Sequence, residues 1–217
     1  MNSSELILVR HGQSTYNLEN RFTGWKDVPL TELGEKEARE AGNILIERKF
    51  DIAFTSDLHR AQKTLSIILE GIKQTNLEVI KNQALNERDY GELVGQNKQE
   101  VAEKFGKEQV EIWRRSFDVA PPSGESLKMT SERVIPYLEK TIIPEILNGK
   151  NVLVVAHGNS IRAIVMKLKE YRPEQILRTE IGWCEPWIFE IDEEGKIIGF
   201  SIIPRPGSKS ISKIPDV

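Results

Sequence analysis

Short apolar runs alternating with longer amphipathic stretches predict an α/β fold, a mostly parallel central sheet with helices on both faces. Two observations carry that expectation. Residues 6–9 (LILV), 52–55 (IAFT), 152–156 (VLVVA) and 187–191 (WIFEI) read as strands, and the first three are nearly unbroken in apolar character, as strands covered on both faces are. Between them, Leu58, Ala61, Leu65, Ile68 and Leu69 form one helical stripe, and Ile161, Ile164, Val165 and Leu168 form a second at i, i+3, i+4 and i+7.

Each element has its own local reason. The first strand runs straight into Arg10-His11-Gly12, and the second leads into TSDLHRAQKT, where Arg60 opens a helix. From Ser126 to Leu147 the pattern is helical but interrupted by Pro136 and Pro144, which predicts a kinked or divided helix because proline lacks the N–H that the ladder needs. The third strand ends in His157-Gly158-Asn159 at the start of the next helix, and WIFEI closes the sheet. Residues 204–217 are rich in Pro, Gly and Ser and read as a mobile tail. With 217 residues, 39% hydrophobic and 29% charged, and with no repeat or composition break, residues 1–217 read as a single domain.

Bulk charge narrows the partners. A formal net charge of −3 argues against a broad basic face for nucleic acid, while a local cationic pocket remains compatible with it. The lone Cys184 has no partner for an internal disulfide and reads as a small packing residue. MNSSELILVR offers neither a basic leader region nor a long apolar stretch, so the expectation is a cytoplasmic protein without a membrane partner.

In open sheets of this kind ligands collect beyond the carboxyl ends of the strands. The chain has only three histidines, yet two of them occupy the same setting, an apolar strand followed by His-Gly. Arginines accompany them: Arg10 beside one, Arg60 at another strand end. Guanidinium forks match phosphate oxygens, and glycine after each histidine lets backbone N–H groups approach an anion at a helix N-terminus. This pattern predicts a phosphate cradle. A histidine there can act as a covalent nucleophile, because neighbouring positive charge lowers its pKa and keeps it neutral.

These residues also carry a likeness. LVRHGQSTYN resembles the signature of the histidine phosphatase superfamily, and TSDLHRAQKT and AHGNSIRA resemble its other phosphate-pocket segments. NRFTGWKDVPLTELG, LNERDYGELVGQNK, WRRSFDVAPP, ESL and RVIPYLEKTIIP are more specific and resemble the cofactor-dependent phosphoglycerate mutases, with the similarity running from about residue 6 to 191. The resemblance implies a phosphoglycerate mutase-like fold and interconversion of 3-phosphoglycerate and 2-phosphoglycerate, primed by 2,3-bisphosphoglycerate and needing no metal. It makes His11 the phosphorylated nucleophile, Arg10, Arg60 and His157 its phosphate pocket, and Glu87 the general acid/base. It assigns Asn17, Thr23, Gly24, Arg88, Tyr90, Lys98, Arg114, Arg115, Gly158 and Asn159 to substrate binding, although Arg88 also stands where it could pair locally with Glu87.

Physical sense agrees with that division of labour. Moving a phosphoryl group between two hydroxyls requires one proton to be removed and one supplied, which a single carboxyl can do. Lys98, Arg114 and Arg115 would clamp the substrate's other anionic group. His59 is expected to face solvent, and Trp25, Trp113, Trp183 and Trp187 to act as packing anchors. Two departures from the family pattern stand out. Gln13 replaces the usual glutamate after His-Gly, removing a negative charge near the pocket, and only Ser123-Gly124 separate APP from ESL where a longer insertion is common. With that cover short, the tail is the expected lid, Arg205, Lys209 and Lys213 reaching over an anionic ligand. Two other readings remain open: a phosphomonoester or sugar-bisphosphate phosphatase on the same phosphohistidine, and a metal-binding module of His11, His157 and Glu87, against which the arginines argue by charge. Monomer and homo-oligomer are both compatible with the sequence.

Overall fold

The computed structural model describes residues 3–208 and 210–215. The chain runs β1 (Ser3–Arg10), α1 (Thr15–Leu18), α2 (Glu32–Ile44), β2 (Ile52–Thr55), α3 (His59–Gly71), β3 (Val79–Lys81), α4 (Lys98–Phe105), α5 (Lys107–Arg115), α6 (Leu127–Tyr137), α7 (Ile143–Leu147), β4 (Val152–Ala156), α8 (Gly158–Leu168), α9 (Pro173–Leu177), β5 (Trp187–Asp192) and β6 (Ile197–Ile202). The strands form one sheet in the order β3-β2-β4-β1-β5-β6. β1, β2, β3 and β4 are mutually parallel, whereas β5 pairs antiparallel with both β1 and β6. All four expected strands are present. The sequence reading missed β3, three residues with a half-exposed edge, and β6, whose side chains are mostly outside the core.

Strand alternation builds two cores from one sheet. Leu6 and Leu8 of β1, with Phe54, Val152 and Val154, pack against Val134 of α6 and Ile161 and Ile164 of α8. Ile7 and Val9, with Ala53, Leu153 and Val155, pack against Ala38 and Ala41 of α2 and Leu65 and Ile68 of α3. Each fully covered Leu, Ile or Val contributes about 1.5–3 kcal/mol relative to exposure, so the unbroken apolar runs follow from β1, β2 and β4 being covered on both faces. A third cluster, Phe22, Leu93, Val101, Val110 and Trp113, sits apart and seats α4 and α5.

The helical run containing Pro136 and Pro144 is divided. Five residues, Leu138–Ile142, form a π-helical turn between α6 and α7. Pro136 and Pro144 remove two ladder donors, and the wider turn absorbs the break.

Parallel register positions the site. Arg10 pairs with Ala156 across β1 and β4, and Thr55 pairs with Val155 across β2 and β4, so the three strands end side by side. Three segments far apart in sequence therefore emerge at one edge.

Candidate active site

His11 is the first residue beyond β1, and its N–H donates to Ala156 O at 3.0 Å. That bond brings the two imidazoles to 5.0 Å between ring centroids, at an interplanar angle of 61°. Both rings are almost completely covered, His11 at 2% exposure and His157 at 0%. His11 Nδ1 lies 2.7 Å from Gly12 O. A carbonyl only accepts, so Nδ1 carries the hydrogen and the neutral ring keeps its lone pair on Nε2. Burial, then the Arg60 and Arg10 guanidiniums, push His11 well below the ordinary histidine range. His157 is lowered in the same way, chiefly by burial and Arg60. Its Nε2 is 2.7 Å from Ser56 Oγ at the end of β2.

The arginines are anchored by part of their donor set. Arg10 Nη1 donates to Ile181 O at 2.8 Å and its guanidinium lies 5.5 Å from the Trp183 ring centroid. Arg60, 1% exposed, donates to Lys26 O and Gly24 O at 3.0 and 2.8 Å, and burial brings its pKa down to about 10, still charged at neutral pH. Arg10 Nε, Arg60 Nε and His157 Nδ1 are buried without a hydrogen-bond partner among the described residues. An unmet buried donor costs about 1–3 kcal/mol, and an oxyanion bound here would relieve all three. All three belong to residues whose charge or ring bears on His11.

Arg10, beside His11, and Gly158, beside His157, line a cavity of about 230 Å³, whereas His11, Arg60 and His157 are not among its lining residues. Its walls include Arg10, Asn17, Thr23, Gly24, Glu87, Tyr90, Lys98, Arg114, Arg115, Gly158 and Asn159, expected catalytic and binding residues brought together from distant parts of the chain. Glu87 is 8% exposed, and its Oε1 accepts from Arg88 N–H at 2.8 Å and Asn159 N–H at 3.1 Å. Asn17 uses Oδ1 to hold Ser14 at the start of α1. Lys98 opens α4 with its ammonium 5.8 Å from the Phe22 ring, and burial lowers its pKa. Burial opposes ionisation of Tyr90, but the Arg88 charge overcomes it and lowers the phenol's pKa.

A model of the histidine phosphatase superfamily (branch 1) matches residues 6–200. The chain belongs to that superfamily. A 2,3-bisphosphoglycerate-dependent phosphoglycerate mutase from Parvibaculum lavamentivorans is 54% identical over 195 residues, covering 89% of this chain and 93% of its own. That likeness places the chain in the 2,3-bisphosphoglycerate-dependent phosphoglycerate mutase family. Among solved structures, phosphoglycerate mutase from Bacillus anthracis aligns with a TM-score of 0.77 at 25% identity over 93% of both chains. A mycobacterial glucosyl-3-phosphoglycerate phosphatase aligns equally well, with a TM-score of 0.77 and 25% identity over 92% of this chain and 97% of its own. The superfamily fold thus serves mutases and phosphatases alike, and the closer sequence likeness is to mutases.

Several expected side-chain placements differ in the structure. Arg88 does not line the cavity: it is 1% exposed, its guanidinium stacks 4.6 Å from the Tyr90 ring centroid, and it donates to Tyr90 Oη at 2.8 Å. Its only bond to the Glu87 carboxylate comes from the backbone N–H, so it props Tyr90. Gln13 turns away as well, its Oε1 accepting from Thr31 Oγ1 at 2.9 Å. A buried carboxylate still stands at that turn, because Glu37 Oε2 accepts from Gln13 N–H at 2.7 Å. Arg205 does not reach over the cavity: it is 6% exposed and pairs with Glu37 at 2.8 Å and with Glu40. Lys209 lies outside the described residues. Lys213 exchanges two backbone hydrogen bonds with Glu180, both 2.9 Å. The short connection after Pro121 is stitched down, Glu92 N–H donating to Pro122 O at 3.0 Å and Glu125 N–H to Asp89 O at 2.8 Å.

Sequence reasoning missed the frame that holds these groups. Arg133 donates to the carbonyls of Ala84, Asn86 and Glu87 and makes a two-nitrogen contact with Glu125, so the quoted ESL and RVIPYLEKTIIP segments fix the backbone of Glu87. Trp25 Nε1 donates to the same Glu87 O at 2.6 Å, and Trp183 stacks on Arg10, so two of the four tryptophans brace catalytic candidates. Thr64 Oγ1 accepts from Gly12 N–H at 3.2 Å. Arg21, Phe22, Arg162 and Glu180 also line the cavity. The i, i+3 spacing of Asn159 and Arg162 within AHGNSIRA was the available signal for Arg162.

Proposed function

We propose that this chain interconverts 3-phosphoglycerate and 2-phosphoglycerate in glycolysis and gluconeogenesis through a phosphohistidine at His11. The observation that carries the reading is the ring of unmet buried donors, Arg10 Nε, Arg60 Nε and His157 Nδ1, around a neutral imidazole. The cavity that Arg10 lines supplies Lys98, Arg114 and Arg115 for a second anionic group. These two cation sets and a volume of about 230 Å³ fit a small bisphosphate. When bound, 2,3-bisphosphoglycerate supplies the phosphoryl group that primes the enzyme.

The chain's own residues supply the rest. His11 Nε2 takes the phosphoryl group, and the guanidiniums of Arg10 and Arg60 neutralise the charge spread over its oxygens. His157 Nδ1 hydrogen-bonds it. Glu87 removes the proton from the accepting hydroxyl as that oxygen attacks phosphorus, and returns a proton to the oxygen that leaves in the reverse transfer. Guanidiniums perform the charge neutralisation that a metal performs elsewhere, so the scheme invokes no metal. A cytoplasmic location suits phosphoglycerate substrates.

Purified protein is expected to convert 3-phosphoglycerate only when 2,3-bisphosphoglycerate is present, unaffected by chelator. Brief exposure to labelled bisphosphate should leave acid-labile, base-stable label, absent in His11→Ala. Release of inorganic phosphate without isomer formation would replace the mutase by the phosphatase reading, and label on another residue would remove His11 from its role.

A further inference from the structure

Glu180 is an acid in a wall of cations. Its Oε1 pairs with Arg115 Nη1 at 2.7 Å and its Oε2 with Arg162 Nη2 at 2.9 Å. Arg162 is otherwise committed, donating to Thr179 O at 2.8 Å and to Asn159 Oδ1 at 3.2 Å, and burial brings its pKa to about 10. Arg115 has one further carboxylate, Glu111 at 3.8 Å, more exposed and outside the cavity lining. Arg115 is therefore the guanidinium that can exchange partners. Glu180 has little room to retreat, since its N–H and C=O are both paired with Lys213.

Building on the function proposed above, we propose that Glu180 is a specificity-determining residue, a resident anion that competes with the ligand's distal anionic group for Arg115. Two consequences follow from the geometry. A ligand must offer Arg115 a better partner than a carboxylate already held in place, which favours a doubly anionic molecule over a simple phosphomonoester. The competition also weakens the grip on that ligand, so a small bisphosphate can release its distal contact, turn and present its other end to His11. The amide orientation of Asn159 is set separately, because Arg162 fixes its Oδ1 and leaves the Asn159 amino group to donate.

The test measures binding of 3-phosphoglycerate and of inorganic triphosphate by calorimetry to the full chain and to its Glu180→Gln, Glu180→Asp and Glu111→Gln variants, with steady-state kinetics beside it. Glu180→Gln is expected to bind both anions about fivefold tighter, the scale of one partly exposed ion pair. KM should fall by a similar factor without a rise in kcat. Glu180→Asp keeps the charge but shortens the reach and should fall between, while Glu111→Gln, which removes the same charge from outside the cavity, should change affinity less than about twofold. Equal or weaker binding by Glu180→Gln overturns the inference, as does an equal gain in Glu111→Gln, which would reduce it to net charge. Should wild type bind triphosphate but not 3-phosphoglycerate, the mutase reading fails, and the triphosphate comparison still decides the role of Glu180.

Discussion

Glu87 shows how much a single carboxylate depends on what holds it. Its backbone carbonyl takes donors from Trp25 and Arg133, and its Oε1 takes two backbone N–H groups, one of them from Asn159 beside His157. Replacement by Gln keeps an acceptor oxygen for those N–H groups, so fold and substrate affinity should survive. What Gln lacks is a titratable proton. Glu87→Gln is expected to lower kcat by a factor on the order of a hundred or more with little change in KM. Normal turnover in that variant would end its role as acid/base. Arg88, assigned to substrate binding by resemblance, contacts Tyr90, and Gln13, a departure from the family pattern, binds Thr31, because which way a side chain leaves a loop depends on neighbours distant in sequence.

At the scale of elements, the turn after His11 is held between two helices. The N–H of Gly12 is held by Thr64 of α3, and that of Gln13 by Glu37 of α2. The approach of α2 is closer than any side chain allows. A Cβ on Gly34 would lie 2.1 Å from Gln13 O, and one on Gly12 would lie 2.2 Å from Gly34 O. Backbone meets backbone there, so no flexible side chain can yield. Gly34→Ala should therefore push α2 away from the turn, costing about 1–3 kcal/mol of stability and slowing phosphorylation of His11 more than it weakens 3-phosphoglycerate binding. Rapid-quench labelling beside a denaturant melt checks both, and unchanged values would show that the turn does not need α2. The two expected helical stripes became α3 and α8 because their burial follows the 3.6-residue period directly. β3 and β6 were not legible, since a short edge strand buries too little to leave a pattern.

Across the whole molecule, buried charge sets the pH and tail dependence of stability. His11 and His157 have folded pKa values well below the ordinary 6.5, so the native state binds fewer protons than the unfolded state as pH falls below that value. The histidines' contribution to stability is complete above about pH 6.5 and is lost on acidification through that window. Glu37, whose pKa is raised by burial, works in the opposite sense as pH rises above the usual carboxylate range, and Glu125, lowered by Arg133 against burial, adds its loss only below that range. The comparison that isolates the histidines is a melting series from pH 7 to pH 5. Wild type should lose melting temperature more steeply than His157→Gln, and parallel slopes would show that His157 does not stay neutral.

A mobile tail would leave stability indifferent to its removal. The structure argues otherwise, since Arg205 is buried against Glu37 and Glu40, and fully buried Glu185 accepts from Ser212 N–H at 2.6 Å. Truncation after Ile203 takes Arg205 from Glu37 and Glu40 and the Ser212 N–H from Glu185, a loss of about 3 kcal/mol or more. A fall in melting temperature of about 5–10 °C is expected, and an unchanged melt would show the tail to be dispensable.

The sequence by itself determined the sheet, the flanking helices and the strand ends at which His11, His157, Arg10 and Arg60 stand. Those features are written locally: apolar period, strand followed by His-Gly, arginine at a helix start. Only the tertiary structure decided which groups support them. Arg133, Trp25 and Thr64 act through contacts with residues that lie 52 to 62 positions away, or 46 in the case of Arg133 and Glu87. Glu180 meets Arg115 from across 65 positions, and Arg205 meets Glu37 across 168. No period or spacing encodes such pairs, because they depend on where the folded chain returns to itself.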